Sequence, residues 1–363
     1  MKKILILVVC MMLTLSIGGC RRAIEEEPLE ETPQAVDYPY NEIEAGNIEG
    51  LEVYQHGEQT PIIDDIMTIE EIATYIREAE YVRLLNEDEE VNTDRGILIY
   101  LRDEILDSRQ ILIYVAENNS QLFIGTEGQV FEIESEDLVG FIEEHFNGPL
   151  LIVEERALKE GARDWFAQFQ QEKGAYVYQH PDATYIKITS DERPTGGYNI
   201  RVRGFNENVY PKEITIEIEE PDPDAMVTQA ITFPTVYLKV ASEEATQYSV
   251  KTIEGEEYEV EDILIFSKLE MPEENDEIDS PVRVKGKIIA FEGSFVVRVL
   301  DEEESLIHEA ILQADAGGPA WGNFDEEIDF SEPTTKTGSI ELGEYSAEDG
   351  SYILREKIEI RFK

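Results

Sequence analysis

The sequence predicts an α+β N-terminal domain followed by mainly-β domains, the last of them a β-sandwich. Two patterns predict this. Apolar residues at helical spacing fall before about residue 175, as in Ile69, Ile72, Ala73 and Ile76. Beyond that point the chain is a succession of short β-branched and aromatic runs divided by turn residues, the pattern of strands in packed sheets. The length of 363 residues leaves room for two or three such domains.

The N-terminus reads as an address. Lys2 and Lys3 precede an apolar run from Ile4 to Ile17, about the length of a signal-peptide core and short for a membrane span. Ile17-Gly18-Gly19-Cys20 closes that run and resembles a bacterial lipobox. Small side chains before the cysteine open the peptide bond to a peptidase, and the thiol can be alkylated by a diacylglyceryl group. The expectation is a lipoprotein signal peptide over 1–19 and a mature chain beginning at a lipidated Cys20. The protein is then extracytoplasmic and anchored to the cell membrane by that lipid. Cys10 lies inside the leader, so the mature chain has no disulfide and no CxxC site, and its core must hold it together.

The chain has 80 acidic and 30 basic residues, a formal net charge of -50. Nucleic acid is excluded as a partner, because phosphate binding needs a cationic surface. Electrostatic adhesion to anionic lipid is excluded on the same ground. Glu219 to Asp224 and Asp301 to Glu304 offer carboxylates to calcium, but no EF-hand loop supports it, and such runs are more often a solvated face.

Residues 20–55 are rich in Glu, Pro and Gly and read as a flexible acidic tether. Residues 56–150 read as the small α+β domain. Thr68-Ile69-Glu70-Glu71 has the form of a capping box at a helix start. Strand-like runs follow at Gly96 to Leu101, Arg109 to Ala116 and Gln121 to Gly125, with Asn118-Asn119-Ser120 as a hairpin turn. Ser135-Glu136-Asp137 opens a second helix to about Phe146, ended by Gly148-Pro149. Residues 151–245 read as a β-rich domain with a leading helix, on which Trp165, Phe166 and Phe169 share one side as core or contact residues. Residues 246–277 are very acidic and read as a linker. Residues 278–363 carry the second β series, from Val282 to Phe362, and read as the sandwich.

One stretch stands apart: Asp191-Glu192-Arg193-Pro194-Thr195-Gly196-Gly197-Tyr198. Pro194 cannot donate in a ladder and pre-sets a turn dihedral, and Gly196 and Gly197 permit positive φ. A phosphate-binding loop needs a helix after the glycines, and here Tyr198, Ile200 and Val202 restart an alternating strand. The chemistry reads as a turn between paired strands. The same residues carry a resemblance. Tyr185-Ile186-Lys187-Ile188, the RPTGGY turn, Pro221-Asp222-Pro223 and Gln229-Ala230-Ile231-Thr232-Phe233-Pro234 resemble the C-terminal domain of the PrcB family, over about residues 176–241. That family is named for a subunit of a bacterial protease complex. The resemblance implies a small β-rich domain outside the cytoplasm that binds or stabilises partner proteins, without catalysis by this chain.

A second resemblance spans about residues 278–363. Ser280-Pro281-Val282-Arg283-Val284-Lys285-Gly286-Lys287, Val299-Leu300-Asp301, Trp321-Gly322-Asn323-Phe324 and Tyr345-Ser346-Ala347-Glu348-Asp349-Gly350-Ser351 are similar to the immunoglobulin-like domain of bacterial spore germination and sporulation proteins. Val284, Ile288, Val297 and Val299 alternate inward, and Trp321 and Phe324 offer large apolar area to a sandwich core.

No enzyme pattern emerges. His56, His145, His180 and His308 never stand at metal-ligand spacing, and each reads as a surface or capping residue. There is no G-x-S-x-G elbow, and carboxylate pairs carry little weight at this acidity. The expectation is a protein with no catalytic residue, no cofactor and no metal, which binds or scaffolds envelope proteins of a protease or germination system. Arg193, Pro194, Thr195, Gly196, Gly197 and Tyr198 form the candidate binding turn, with Trp321 and Phe324 as structural anchors. Two other classes stay open: a substrate-binding lipoprotein that captures a glycan or peptide in an aromatic cleft, and a hydrolase within residues 60–150 marked by paired, pKa-shifted carboxylates.

Overall fold

A computed structural model describes residues 38–363 except 87, 88, 90, 92, 93, 106, 107, 117–120, 127, 128, 147, 224 and 242. The leader, Cys20, the Asn118-Asn119-Ser120 turn and Asp224 lie outside the described residues.

The first domain holds β1 (Ile48–Gln55), β2 (Glu58–Gln59), α1 (Ile66–Glu78), β3 (Glu80–Leu84), β4 (Arg95–Ile105), β5 (Ser108–Val115), β6 (Leu122–Gly125), β7 (Val130–Glu134) and α2 (Glu136–Phe146). Its strands run in the order β2-β1-β4-β5-β6-β7-β3. Both helices cover one face, where Ile69, Ile72 and Ile76 of α1 meet Leu51, Val53, Ile97 and Ile99 in one core. Two expectations are corrected here. The tether does not reach residue 55. Tyr40, Ile43 and Ile48 are buried, and Tyr40 packs edge-on to Phe131 at 5.9 Å, because these apolar side chains recur often enough within the acidic stretch to join the core. The helix start is capped by Asp65, which accepts from the Thr68 N–H at 3.0 Å, and not by a box at Thr68. Glu71 is taken instead by the Tyr75 hydroxyl at 2.6 Å. The second helix starts as expected, with Ser135 Oγ accepting from the Leu138 N–H.

The second domain holds β8 (Leu150–Val153), α3 (Glu160–Phe166), β9 (Gly174–His180), β10 (Ala183–Thr189), β11 (Asn199–Asn206), β12 (Lys212–Glu219), β13 (Thr235–Val240), β14 (Tyr248–Thr252) and β15 (Val260–Leu264). Strands β15-β9-β10-β13-β8 form a layer whose inner face meets a three-stranded sheet, β11-β12-β14. The period of two sorts the side chains. Ala175, Val177, Ile186 and Ile188 meet Val202, Ile214 and Ile216 between the sheets. Tyr176, Tyr178 and Tyr185 face outward under Leu158, Ala162 and Phe166 of the leading helix region. Trp165 and Phe169 pack there at 5.3 Å, and Phe169 stacks on Tyr176 at 4.2 Å. Strands β9 and β10 are therefore covered on both faces, which explains their continuous apolar character.

The two domains share a sheet. β8 pairs with β13 on one side and with β2 on the other, so twelve strands run as one sheet among the described residues.

The third domain is a sandwich of β16 (Ser267–Met271), β18 (Val282–Ile288) and β21 (Gly322–Ile328) against β17 (Glu277–Ile278), β23 (Tyr352–Phe362), β22 (Thr337–Tyr345), β19 (Ser294–Asp301) and β20 (Leu306–Gln313). Val284, Ile288, Val297, Val299 and Phe324 are buried in its core, and Phe324 meets Phe295 at 4.6 Å. The linker expected over 246–277 is corrected: it contains β14, β15 and β16, and only Ile265 and Phe266 separate the second domain from the third. The alternation of Tyr248, Val250 and Thr252 supplies the buried face that the many carboxylates obscured.

Trp321 is corrected too. It is buried, but it closes the joint between the domains and is not a core residue of the sandwich. Its indole N–H donates to the Ile265 carbonyl at 3.0 Å, and its backbone N–H to the Glu243 carbonyl at 3.1 Å. Beside it, Asp182 pairs with Lys159 of the second domain and Lys268 of the third, and Lys287 donates to the Pro181 carbonyl at 3.2 Å.

His180 adjoins this cluster and is not the surface residue expected. Burial pushes its imidazole down to about 4; Lys159, Lys268 and Lys287 push the same way and Asp182 opposes them. The folded state thus holds His180 unprotonated, and its contribution is complete above about 6.5 and lost as pH falls through about 4. The thermal midpoint of the wild type is expected to fall more across that window than that of His180→Gln. Equal falls, followed by circular dichroism, would place the acid sensitivity elsewhere. Separately, Asp65→Ala is expected to cost about 1 kcal/mol in denaturant unfolding through loss of the α1 cap.

Candidate functional site

The RPTGGY stretch connects β10 to β11, and these strands do not pair. β10 belongs to the twelve-stranded sheet and β11 to the three-stranded one. The expected hairpin turn is therefore corrected to a crossover between the two layers of the sandwich. A hairpin brings its own strands together, whereas here the closing partner is a second segment, residues 221–234. Arg193 and Thr232 exchange backbone hydrogen bonds at 2.8 and 3.0 Å. The Thr232 hydroxyl donates to the Thr195 carbonyl at 2.7 Å, and the Gly196 N–H donates to the Thr228 carbonyl at 2.8 Å.

The glycines are required by that contact. Gly197 has φ +90, and a Cβ there would lie 2.8 Å from Val227 Cγ1 and 2.9 Å from Pro221 Cβ. Gly196 has no positive φ, but its Cβ would stand 2.3 Å from the Thr228 hydroxyl. Pro194 occupies the exposed corner between Arg193 and Thr195, where no backbone donor is needed.

Arg193 is half-buried, with its guanidinium 5.4 Å from the Tyr198 ring centre. Its Nε is buried and, among the described residues, has no acceptor. Neighbouring charge is already paired. Asp191 holds Lys173 at 2.7 Å, and together with Glu256 it pushes the Lys173 ammonium up to about 12. The six expected residues thus stand together at one end of the sandwich, locked to a strap that sequence reasoning tied to them only through the family pattern.

Two residues of that strap went unnoticed as surface features. Met226 is fully exposed and Ile231 is 62% exposed, each within two residues of a hydrogen bond to the loop. The signal available was a pair of apolar residues inside a run of turn formers with no alternation.

Lys187, His145 and Asp301 are each engaged within the fold. Lys187 is buried, and burial lowers its ammonium; it donates to the Phe169 carbonyl at 2.6 Å and the Phe166 carbonyl at 3.3 Å, closing the C-terminal end of α3. His145 stacks on Phe141 at 4.0 Å and bonds its carbonyl within α2. Asp301 Oδ1 accepts from the Glu303 and Ser305 N–H groups in a turn. Among the described residues no three His, Cys, Asp or Glu side chains gather as a metal site.

Comparison with known proteins agrees with this architecture. Residues 184–241 match the family model for the PrcB C-terminal domain. Residues 267–351 match that for the immunoglobulin-like domain of bacterial spore germination. The second match begins at the first residue of β16, so the domain starts before residue 278. Both families are typical of extracellular or envelope proteins. No curated protein matches the chain. Among solved structures, one match is "Biofilm associated protein - BSP domain", at 11% identity over 88% of this chain and 73% of that one. Its TM-score is 0.18, and it carries no argument. No helix among the described residues is long and apolar enough to cross a membrane.

Gly197→Ala is expected to lower stability by about 1–3 kcal/mol, because alanine at this φ is strained and its methyl meets the strap. Urea unfolding measures it, and a change below about 0.5 kcal/mol would show that the crossover relaxes freely.

Proposed function

We propose that the protein is a non-enzymatic, lipid-anchored envelope protein that binds or scaffolds another protein through the RPTGGY crossover and its strap. One observation carries the reading: Met226 and Ile231 stand exposed on a segment held rigid by hydrogen bonds to Arg193, Thr195 and Gly196. Exposed apolar side chains on a pre-organised backbone lose little entropy on docking and gain the burial they lack. Arg193 lies beside this surface, half-buried over the Tyr198 ring, and its positive charge favours a carboxylate on a partner. The match to a domain family named for a protease subunit favours a protease as partner, and the germination-family match favours a sporulating cell.

The anchor rests on Ile17-Gly18-Gly19-Cys20 after its apolar run. A lipid on Cys20 places the folded domains at the outer face of the membrane, separated from it by the acidic stretch before Tyr38.

Crosslinking in intact envelopes, followed by mass spectrometry, tests both parts. The full-length protein is expected to recover one stoichiometric partner, reduced about tenfold when Met226→Ser, Ile231→Ser and Arg193→Ala are combined. Cys20→Ala is expected to move the protein from the membrane fraction to the soluble fraction. A partner retained by the triple variant, or none recovered by the wild type, overturns the contact reading. A membrane-bound Cys20→Ala protein overturns the anchor.

A further inference from the structure

The three-stranded sheet of the second domain turns its outer face toward the first domain. On β11, Ile200 and Val202 point into the sandwich, so Arg201 and Arg203 point out. On β1 and β4, Leu51 and Ile99 point to the helices, which leaves Glu52 and Tyr100 on the opposite face. Between these faces lies a cleft of about 240 Å³, lined among others by Gly50, Ile62, Asp64, Tyr100, Arg201 and Arg203.

We propose that this cleft binds a single pyranose ring that carries no acid group.

Its volume is below that of a site for a drug-sized molecule, and fits one ring rather than an extended chain. Both of its arginines are already paired, while Glu49 adds an exposed carboxylate to the lining. Arg201 pairs with Glu219 at 2.6 Å, and Arg203 pairs with Glu217 at 2.5 Å and with Asp64 at 3.6 Å. An anion would have to displace a carboxylate from one of these arginines and leave that carboxylate unpaired. A sugar hydroxyl does not, because it donates to a carboxylate and accepts from a guanidinium at once. Adjacent hydroxyls can therefore bridge an arginine and its acid without separating them.

Glu52 supplies the open position. One of its oxygens accepts from the Tyr100 hydroxyl at 2.9 Å, and among the described residues the other accepts no hydrogen bond. Burial pushes this carboxyl up, against the Tyr100 hydroxyl and Arg201, with Glu219 adding to the rise. A half-buried acceptor left open beside Tyr100 and Arg201 matches a hydroxyl donor. Tyr100 is the aromatic among the lining residues, and its phenol is already oriented by Glu52. Gly50 keeps the wall close: a Cβ there would meet Ile62 Cγ2 at 2.9 Å.

This site is separate from the RPTGGY contact and does not depend on it. The test is saturation-transfer NMR on the full-length chain in detergent micelles, with glucose, galactose, N-acetylglucosamine and glucosamine as probes and glucuronate as the acidic control. At least one of the four probes is expected to bind with a millimolar Kd. Glu52→Gln and Arg201→Gln are each expected to weaken it roughly tenfold while the thermal midpoint changes little. No transfer to any of the four probes, equal transfer to glucuronate, or binding unchanged in both variants overturns the proposal. None of these results bears on envelope crosslinking, so the two readings fail independently.

Discussion

Two residue pairs join the first two domains: Glu58 with Val153 and Gln59 with Ile152. They make β2 the bridge between β1 and β8, and so convert two sheets into one. The bridge depends on a two-residue turn in which His56 and Gly57 both have positive φ, the conformation that suits a tight hairpin. Lys239 reinforces it from β13 by pairing with Glu58 at 2.8 Å. An unpaired strand edge must be satisfied by something, and here each domain satisfies the other. The orientation of the first domain then follows from strand geometry and not from a flexible linker. That orientation is what places the outer face of β11 opposite β1 and β4.

The second joint works differently. β15 ends at Leu264 and β16 begins at Ser267, so the chain leaves one sheet and enters the next sandwich almost at once. Trp321 fills the angle and bonds the carbonyl of Ile265, one of the two connecting residues, while Asp182 ties lysines from both sides. Single surface ion pairs contribute little, about 0–1 kcal/mol each. Here they cluster around a buried indole and the half-buried imidazole of His180, whose titration acts at this joint. In a chain with so large an acidic excess, lysines concentrated at a joint are a local reversal of the general charge.

The crossover at residues 193–198 is fixed in place by its strap. Its glycines are set by the approach of the strap, and this alone accounts for Gly196 and Gly197. Packing does not account for Met226 and Ile231, which face solvent. The proposed contact therefore falls on residues other than the two glycines.

Much was legible from the sequence because it rests on local periodicity. The helices at 66–78 and 136–146, the inward valines of the sandwich and the outward arginines of β11 all follow from spacing of 3.6 or 2. Both domain resemblances were carried by segments in order along the chain. The sequence by itself also determined the charge and the presence of two cysteines, Cys10 and Cys20. The errors have one physical source. Residues 38–55 and 246–277 looked like solvated chain because composition averages over a strand's two faces, and a strand with one buried face still reads as acidic. Which strands pair, that β10 and β11 do not, that β2 bridges two domains, and that Trp321 serves a joint were decided only by tertiary structure. Pairing depends on edges brought together from distant parts of the chain, and no local pattern records which edge will be free.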